Sequence, residues 1–354
     1  MLDLDAIDET PEVVIDLDRV RANIERAAQL AAAAGVALRP HAKTHKMVEV
    51  ARLQLDAGAA GLQVAKLGEA EVFAAAGVDD LFVGYPLVGA HKLERLRALD
   101  GKLSVAVDSL DAARALSEAG RRLQVLIEID TGLRRTGVLS GEPAVALARE
   151  LLALPNLELV GVFTHEGHVY GVADKEQAAR EACAAIVETA EAIRALGVEL
   201  PVVSVGSTVS FRYTAGQPGI TEVRPGTYVF NDSTQVAQGA ATWDDVAAYV
   251  VATVVSRPAN DRAVIDAGSK VLSYDPLAGS DTHGAVLGYD GLFVTRLSEE
   301  HGVIDGANAL RVGDRLAVVP NHICPVINLA DTVGVVENGA VVDHWQVAAR
   351  GRVR

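Results

Sequence analysis

Eight short apolar or β-branched runs, separated by segments of helical period, occupy the first two thirds of this chain and restrict its fold more than any other feature. The runs are VALRPH (36–41), GLQVA (61–65), DLFVGY (80–85), KLSVAVD (102–108), QVLIEID (124–130), LVGVFTH (159–165), PVVSVG (201–206) and EVRPGTYV (222–229). Between them lie Ala/Leu/Glu/Arg-rich stretches such as LGEAEVFAAAG (67–77) and SLDAARALSEAG (109–120), several stopped by a glycine just past the periodic pattern. Strand and helix alternating eight times predict an α/β fold, a (β/α)8 TIM-type barrel over 20–238. After about 240 the texture changes to closely spaced strands with Asp-Gly and Asn-Gly turns. Residues 239–354, joined by 1–19 through EVVIDLDRV, are therefore expected to form a smaller antiparallel β domain.

Charge narrows the partners. Forty-seven acidic residues outnumber 32 basic ones, giving a net charge of −15, and the basic residues form no long cluster. Nucleic acid and anionic membranes are poor partners for such a surface, and a small-molecule substrate fits better. Cys183 and Cys324 are too few and too far apart for a disulfide scaffold. The acidic N-terminal stretch lacks the basic and apolar regions of a signal peptide, and no long uncharged apolar run occurs. A cytoplasmic protein is expected.

In a barrel of this kind chemistry gathers at the C-terminal strand ends. There the chain places His41, Lys43, His45 and Lys46 after strand one, Tyr85 after strand three and Asp108 after strand four. Asp130, Arg134 and Arg135 follow strand five, and His165, Glu166 and His168 follow strand six. Strands seven and eight end in GSTVS (206–210) and RPGTY (224–228). Gly/Ser/Thr-rich turns at those two positions are where barrels bind phosphate. A phosphate site facing a lysine suggests a phosphorylated carbonyl cofactor held as a Schiff base.

The chain resembles the D-threonine aldolase and D-serine dehydratase group of pyridoxal-phosphate enzymes with the alanine-racemase-like (fold-type III) barrel. The resemblance is carried by RPHAKTHK (39–46), IEIDTGLRRTGV (127–138), HEGH (165–168), VGSTVS (205–210), EVRPGTYVFND (222–232), LSEEHG (297–302) and PNHICPVINL (320–329). It implies pyridoxal 5'-phosphate on Lys43, the first lysine of KTHK. It further implies a phosphate cradle of Gly206, Ser207, Thr208, Gly226, Thr227 and Tyr228, with Arg135 and His165 at the pyridine ring. His165 stands where relatives often carry tyrosine.

PNHICP places His322 and Cys324 two residues apart, on one face if the segment is a strand. Imidazole and thiolate together suit a borderline divalent cation, while a structural cysteine beside a core histidine is the other reading of the pair. The resemblance implies the metal, Mn2+, Zn2+, Mg2+ or Co2+, held near the cofactor by His322 and Cys324. Asp266, His283, Glu300 and His301 are further polar residues of this domain that could approach it.

The activity so implied is cleavage of D-β-hydroxy-α-amino acids to glycine and an aldehyde, with His168 or a metal-held water as base. The alternative on the same scaffold is a metal-dependent D-serine or 3-hydroxyaspartate dehydratase, toward which the His-x-Cys form of the metal pair leans. A non-catalytic carrier of pyridoxal phosphate would lack the β domain, and a racemase would need no metal. Tyr274 could pass for the racemase's second-domain tyrosine. A homodimer is the assembly that the resemblance implies.

Overall fold

The computed structural model describes residues 3–277 and 279–354. The chain divides into two compact units. One comprises Arg26–Lys43, Ala51–Gly226 and Arg352–Arg354; the other comprises Met1–Glu25, Thr44–Val50 and Thr227–Gly351.

In chain order, β1 (Glu12–Asp16) leads into the long α1 (Leu17–Ala34). The alternation then begins, with β2 (Ala37–Leu38), α2 (Val48–Asp56), β3 (Leu62–Val64), α3 (Leu67–Ala75), β4 (Asp80–Val83), α4 (Ala90–Arg97), β5 (Lys102–Val107) and α5 (Leu110–Glu118). It continues through β6 (Leu123–Asp130), the short β7 (Val138–Leu139), α6 (Glu142–Leu152), β8 (Leu157–Phe163), α7 (Lys175–Arg194), β9 (Val202–Val205), α8 (Phe211–Thr214) and β10 (Glu222–Val223).

Among the described residues, eight parallel strands follow one another in the order β2-β10-β9-β8-β6-β5-β4-β3. The ring closes where the chain beyond β2 meets β3: His41 bridges Gln63, the Ala42 amide donates to the Gln63 carbonyl and the Gln63 amide donates to Pro40. All eight predicted strands are thus present in one parallel barrel. The helices depart from strict alternation. A four-residue α8 is all that separates β9 from β10, whereas the eighteen-residue α1 precedes the first barrel strand.

Local sequence accounts for the elements. Helix α7 is capped by Asp174, which accepts from the Gln177 amide, and it buries Ala179, Ala182, Cys183, Ile186, Thr189, Ala190 and Ile193. That three-and-four spacing is one face of a helix. Cys183 belongs to this face, and burial pushes its thiol up to about 12, as expected of a packing residue. Gly77 ends α3 at φ 86, a conformation a side chain would strain. Phe82, Ala106, Leu126, Val160 and Phe163 pack as one buried cluster, with the Phe82 and Phe163 rings edge to face at 4.9 Å.

The second unit is built on antiparallel strands: β11 (Ala248–Ala259), β12 (Arg262–Ile265), β13 (Gly284–Val286), β14 (Phe293–Leu297), β15 (Gly302–Asp305) and β16 (Arg315–Pro320). Their order is β12-β15-β14-β13-β16-β11, and β11 pairs back to β12, which closes a second, six-stranded barrel. Strand β1 joins it, antiparallel to β11 and parallel to β17 (Thr332–Glu337), which in turn pairs with β18 (Ala340–Gln346). The EVVID run therefore pairs with C-terminal strands. Ile7, Val14, Val246, Tyr249, Val251, Ala317, Val319 and Val336 form the core beneath them. Short helices α9 (Ser233–Ala237), α10 (Ser269–Leu272) and α11 (Ile323–Leu329) punctuate this unit.

Candidate active site

The polar residues of interest fall in two groups, one in each unit. In the parallel barrel, a buried chain of hydrogen bonds leads to the strand ends. Arg39 bonds Asp80 at 2.6 Å and Glu222 at 2.8 Å; Ser204 donates to Glu222 at 2.7 Å; Arg224 Nε donates to Ser204 at 2.7 Å. The Arg224 guanidinium also donates to Gln63 Oε1 and the Thr164 carbonyl, and lies 5.0 Å from the centre of the Phe163 ring. Burial lowers the pKa of Arg224 from its ordinary value, and Glu222, Glu166 and Glu128 compensate the charge. Sequence reasoning missed Gln63, Ser204 and Arg39 as members of this column; Arg39, a charge inside an apolar strand, was the visible signal.

Past β2 the chain turns through His41 and Lys43. The Lys43 amide donates to His41 Nδ1 at 3.3 Å, so the neutral ring carries its proton on Nε2. His165, on the loop after β8, has the opposite tautomer: Nδ1 lies 2.5 Å from the Gly206 carbonyl and must donate to it, leaving Nε2 an acceptor. Burial, followed by the Lys43 charge, holds His41 well below the usual imidazole range and takes His165 to about 3. The Lys43 charge is therefore felt by two neutral imidazoles, one with its proton on Nε2 and one with Nε2 as an acceptor.

The turn after β9 is fixed from below by Glu166, which is fully buried. Its carboxylate accepts from the Gly206 amide at 3.0 Å and from the Ser210 hydroxyl at 2.5 Å, and Ser207 and Ser210 bond each other at 2.7 Å. A Cβ on Gly206 would stand 2.7 Å from Arg224 Cβ and 2.9 Å from its backbone, so only glycine lets these two strand ends close. Thr208 and Gly226 are partly exposed on the turns after β9 and β10. A glycine-rich turn of this kind, with hydroxyls at its rim, fits a phosphate.

Two further expected residues, Arg135 and His168, lie around β6 and β8. Arg135 is exposed, and its charge depresses His165 and Glu128. Glu128 accepts from Thr136 at 2.8 Å through Oε1, while its buried Oε2 has no partner and burial raises its pKa. His168 sits on the 3-10 turn Gly167–Gly171 with its ring against Gly132, and its buried Nδ1 has no partner. Tyr85 is exposed and stacks under the Lys66 ammonium, 3.2 Å from the ring centre.

In the second unit, the PNHICP segment is not the strand expected. Strand β16 stops at Pro320, His322 caps α11, and Cys324 lies in that helix's first turn. The two side chains still meet, because the cap residue and the first turn of a helix curl toward one another, whereas a strand would set them side by side. Cys324 lies close enough to the His322 imidazole to favour its charged form. The thiol also donates to Thr44 at 3.3 Å, and Thr227 Oγ1 stands 3.9 Å from the sulfur. Tyr228, expected with Thr227 in the phosphate cradle, is buried in this unit.

Asp275 Oδ2 meets His322 Nδ1 at 2.6 Å, and fully buried Asp232 accepts from the Ile323 amide at 3.0 Å. Burial opposes a charge on His322, yet Cys324, Asp232 and Asp275 together push it up to about 10. Sequence reasoning did not anticipate Asp232 or Asp275. Of the candidates it did name, Asp266 is occupied by the Thr253 amide and Thr10, and Glu300 pairs with Lys270. His283 meets the Tyr274 ring edge to face with centres 4.9 Å apart, and His301 is exposed. Imidazole and thiol, with a carboxylate on the far ring nitrogen, are a donor set that fits a borderline divalent cation. Among the described residues no third His, Cys, Asp or Glu completes it.

Comparison with known proteins points to one family. The alanine racemase N-terminal domain profile matches residues 15–234, and the serine dehydratase domain profile matches 247–336. The chain is 36% identical over 360 residues to a D-threonine aldolase of Arthrobacter sp, covering 97% of this chain and 93% of that protein. The chain belongs to the D-threonine aldolase and D-serine dehydratase family. That family is pyridoxal-phosphate-dependent, and its members named here are lyases. The crystal structure of D-threonine aldolase from Filomicrobium marinum superposes with a TM-score of 0.92 at 32% identity, covering 98% of this chain and 97% of that one. The D-threo-3-hydroxyaspartate dehydratase of Delftia sp. (strain HT23) is 38% identical over 349 residues, 89% of this chain and 91% of the relative. A cysteine-to-alanine variant of a D-threo-3-hydroxyaspartate dehydratase, in its metal-free form, superposes with a TM-score of 0.88 at 36% identity, covering 96% of this chain and 98% of that one. No helix among the described residues is long and apolar enough to cross a membrane.

Proposed function

We propose that this protein is a D-threonine aldolase-type lyase that cleaves D-β-hydroxy-α-amino acids to glycine and an aldehyde, using pyridoxal 5'-phosphate on Lys43 and a divalent cation on His322 and Cys324. The observation that carries the reading is the meeting of the His322 imidazole with the Cys324 thiol, backed by Asp275. A carrier or a racemase has no use for such a pair. When bound, pyridoxal phosphate supplies an electron sink for charge at Cα, and the cation lowers the pKa of a hydroxyl.

The chain's own residues do the rest. Lys43 acts on His41, which can donate a hydrogen bond from Nε2, and on His165, which can accept one at Nε2, so two neutral imidazoles can orient groups beside it by hydrogen bonding. Glu166 holds the Gly206–Ser210 turn still, so the phosphate cradle, which we extend to Ser207, Thr208, Gly226, Thr227 and Tyr228, needs no ordering on binding. Arg135 places a cation beside the ring position, and the buried, unpartnered Nδ1 of His168 fits a base awaiting its proton.

A dehydratase acting on D-serine or 3-hydroxyaspartate is the second reading. It is favoured by one observation: the thiol of Cys324 stands in the metal pair, and a cysteine variant of the hydroxyaspartate dehydratase is described in a metal-free form. D-threonine supplied to the purified protein, with pyridoxal phosphate and Mn2+ or Zn2+, separates the two. Glycine with acetaldehyde establishes the aldolase, ammonia with 2-oxobutyrate establishes the dehydratase, and neither pair refutes both for this substrate. We further propose a cytoplasmic homodimer, the first part in keeping with a chain that has only two cysteines; light scattering after gel filtration tests the assembly.

A further inference from the structure

We propose that Asp275 is the positioning residue of the metal pair: its carboxylate fixes the His322 ring so that Nε2 faces the cation. This rests on the metal reading above. The 2.6 Å contact between Asp275 Oδ2 and His322 Nδ1 is short enough for a charge-assisted hydrogen bond, and it requires a proton on Nδ1. A carboxylate on Nδ1–H both locks the ring's rotation and raises the basicity of Nε2, as outer partners of metal-binding histidines do elsewhere.

Asp275 is about half exposed, and an exposed carboxylate would ordinarily swing in solvent. This one is tethered. The side-chain amide of Asn321, immediately before His322, donates to the carbonyls of Asp275 at 3.1 Å and Thr282 at 2.5 Å, clamping the loop that carries Asp275 at two points. On the other side of His322, the Ile323 amide is held by Asp232. Residues 321, 322 and 323 are thus each held, and Asp275 supplies the carboxylate that reaches the imidazole itself.

The test is the Zn2+ affinity of the full chain, loaded with pyridoxal phosphate, measured by competition with a chromophoric chelator. Asp275→Ala should weaken binding by roughly 10- to 100-fold. Asp275→Asn should recover part of the loss, because its amide oxygen still accepts from Nδ1–H while the charge is gone. The exposed position predicts melting temperatures and cofactor absorbance like those of the parent for both variants. Parent-like Zn2+ affinity in Asp275→Ala, alongside a large loss in His322→Ala, would overturn the inference and leave the metal pair standing. Parent-like affinity in His322→Ala and Cys324→Ala would overturn the metal reading itself.

Discussion

Replacing Glu166 with alanine should loosen the barrel without touching its apolar core. The carboxylate is fully buried and accepts from the Gly206 amide at 3.0 Å and the Ser210 hydroxyl at 2.5 Å. Ser210 can turn to Ser207 Oγ, already 2.7 Å away, so its loss is small. The Gly206 amide has no such choice, and a stranded buried donor costs about 1–3 kcal/mol. Arg224, buried and partly compensated by Glu166, loses one of its counter-charges as well. Together these give a destabilisation of about 3 kcal/mol, a large fraction of a marginal fold. Urea unfolding at fixed protein and cofactor concentration, followed by circular dichroism, reads it directly. Glu166→Gln keeps an acceptor for Gly206 and should lose only about 1 kcal/mol. An alanine variant within about 0.5 kcal/mol of the parent would refute the role given to this carboxylate.

Other expectations follow from the same contacts. Gly206→Ala forces a Cβ to 2.7 Å from Arg224, so a loss of about 1–3 kcal/mol and weaker cofactor retention are expected by melting and by absorbance. Arg224→Lys cannot reach Ser204, Gln63 and Thr164 together, and should destabilise by about 3 kcal/mol in urea; a change near zero would mean the guanidinium's three bonds are dispensable. The unfolded chain protonates His165 near 6.5 and the folded chain only at about 3, so this residue's contribution is complete above 6.5 and drains away as pH falls. His165→Gln should therefore flatten the pH dependence of stability in that window by at most about 1.4 kcal/mol per unit, less where solvent reaches the ring. Asp232→Ala removes the acceptor for the amides of Gln235 and Ile323, and should both destabilise the second unit and weaken Zn2+ binding, while Asp232→Asn does less of each.

Periodicity made the parallel barrel legible because strand and helix repeats are local: side chains at two- and four-residue spacing must face one side whatever the rest of the chain does. Lys43 was legible for the same reason, as a lysine immediately past an apolar strand. His322 and Cys324 were legible as a pair, but their setting was not. The spacing of a strand and the first turn of a helix both bring residues two apart within reach of one cation, and the choice depended on Asp232, ninety-one residues away from the Ile323 amide it holds. The length of α8 and the use of α1 ahead of the barrel were equally invisible, since a helix's place around a barrel is set by packing rather than by its own sequence.

Taken by itself, then, the sequence determined the alternation and the change of texture after it, and it displayed the lysine, the glycine-rich strand ends and the His-x-Cys spacing as candidates. Tertiary structure alone decided the ionisation and tautomer of His41 and His165, the carboxylate beneath Gly206, the column from Asp80 to Arg224 and the tether of Asp275. The physical reason is range. Secondary structure is written in neighbours a few residues apart, whereas burial, charge compensation and the orientation of a ring are properties of groups that only folding brings within hydrogen-bond distance.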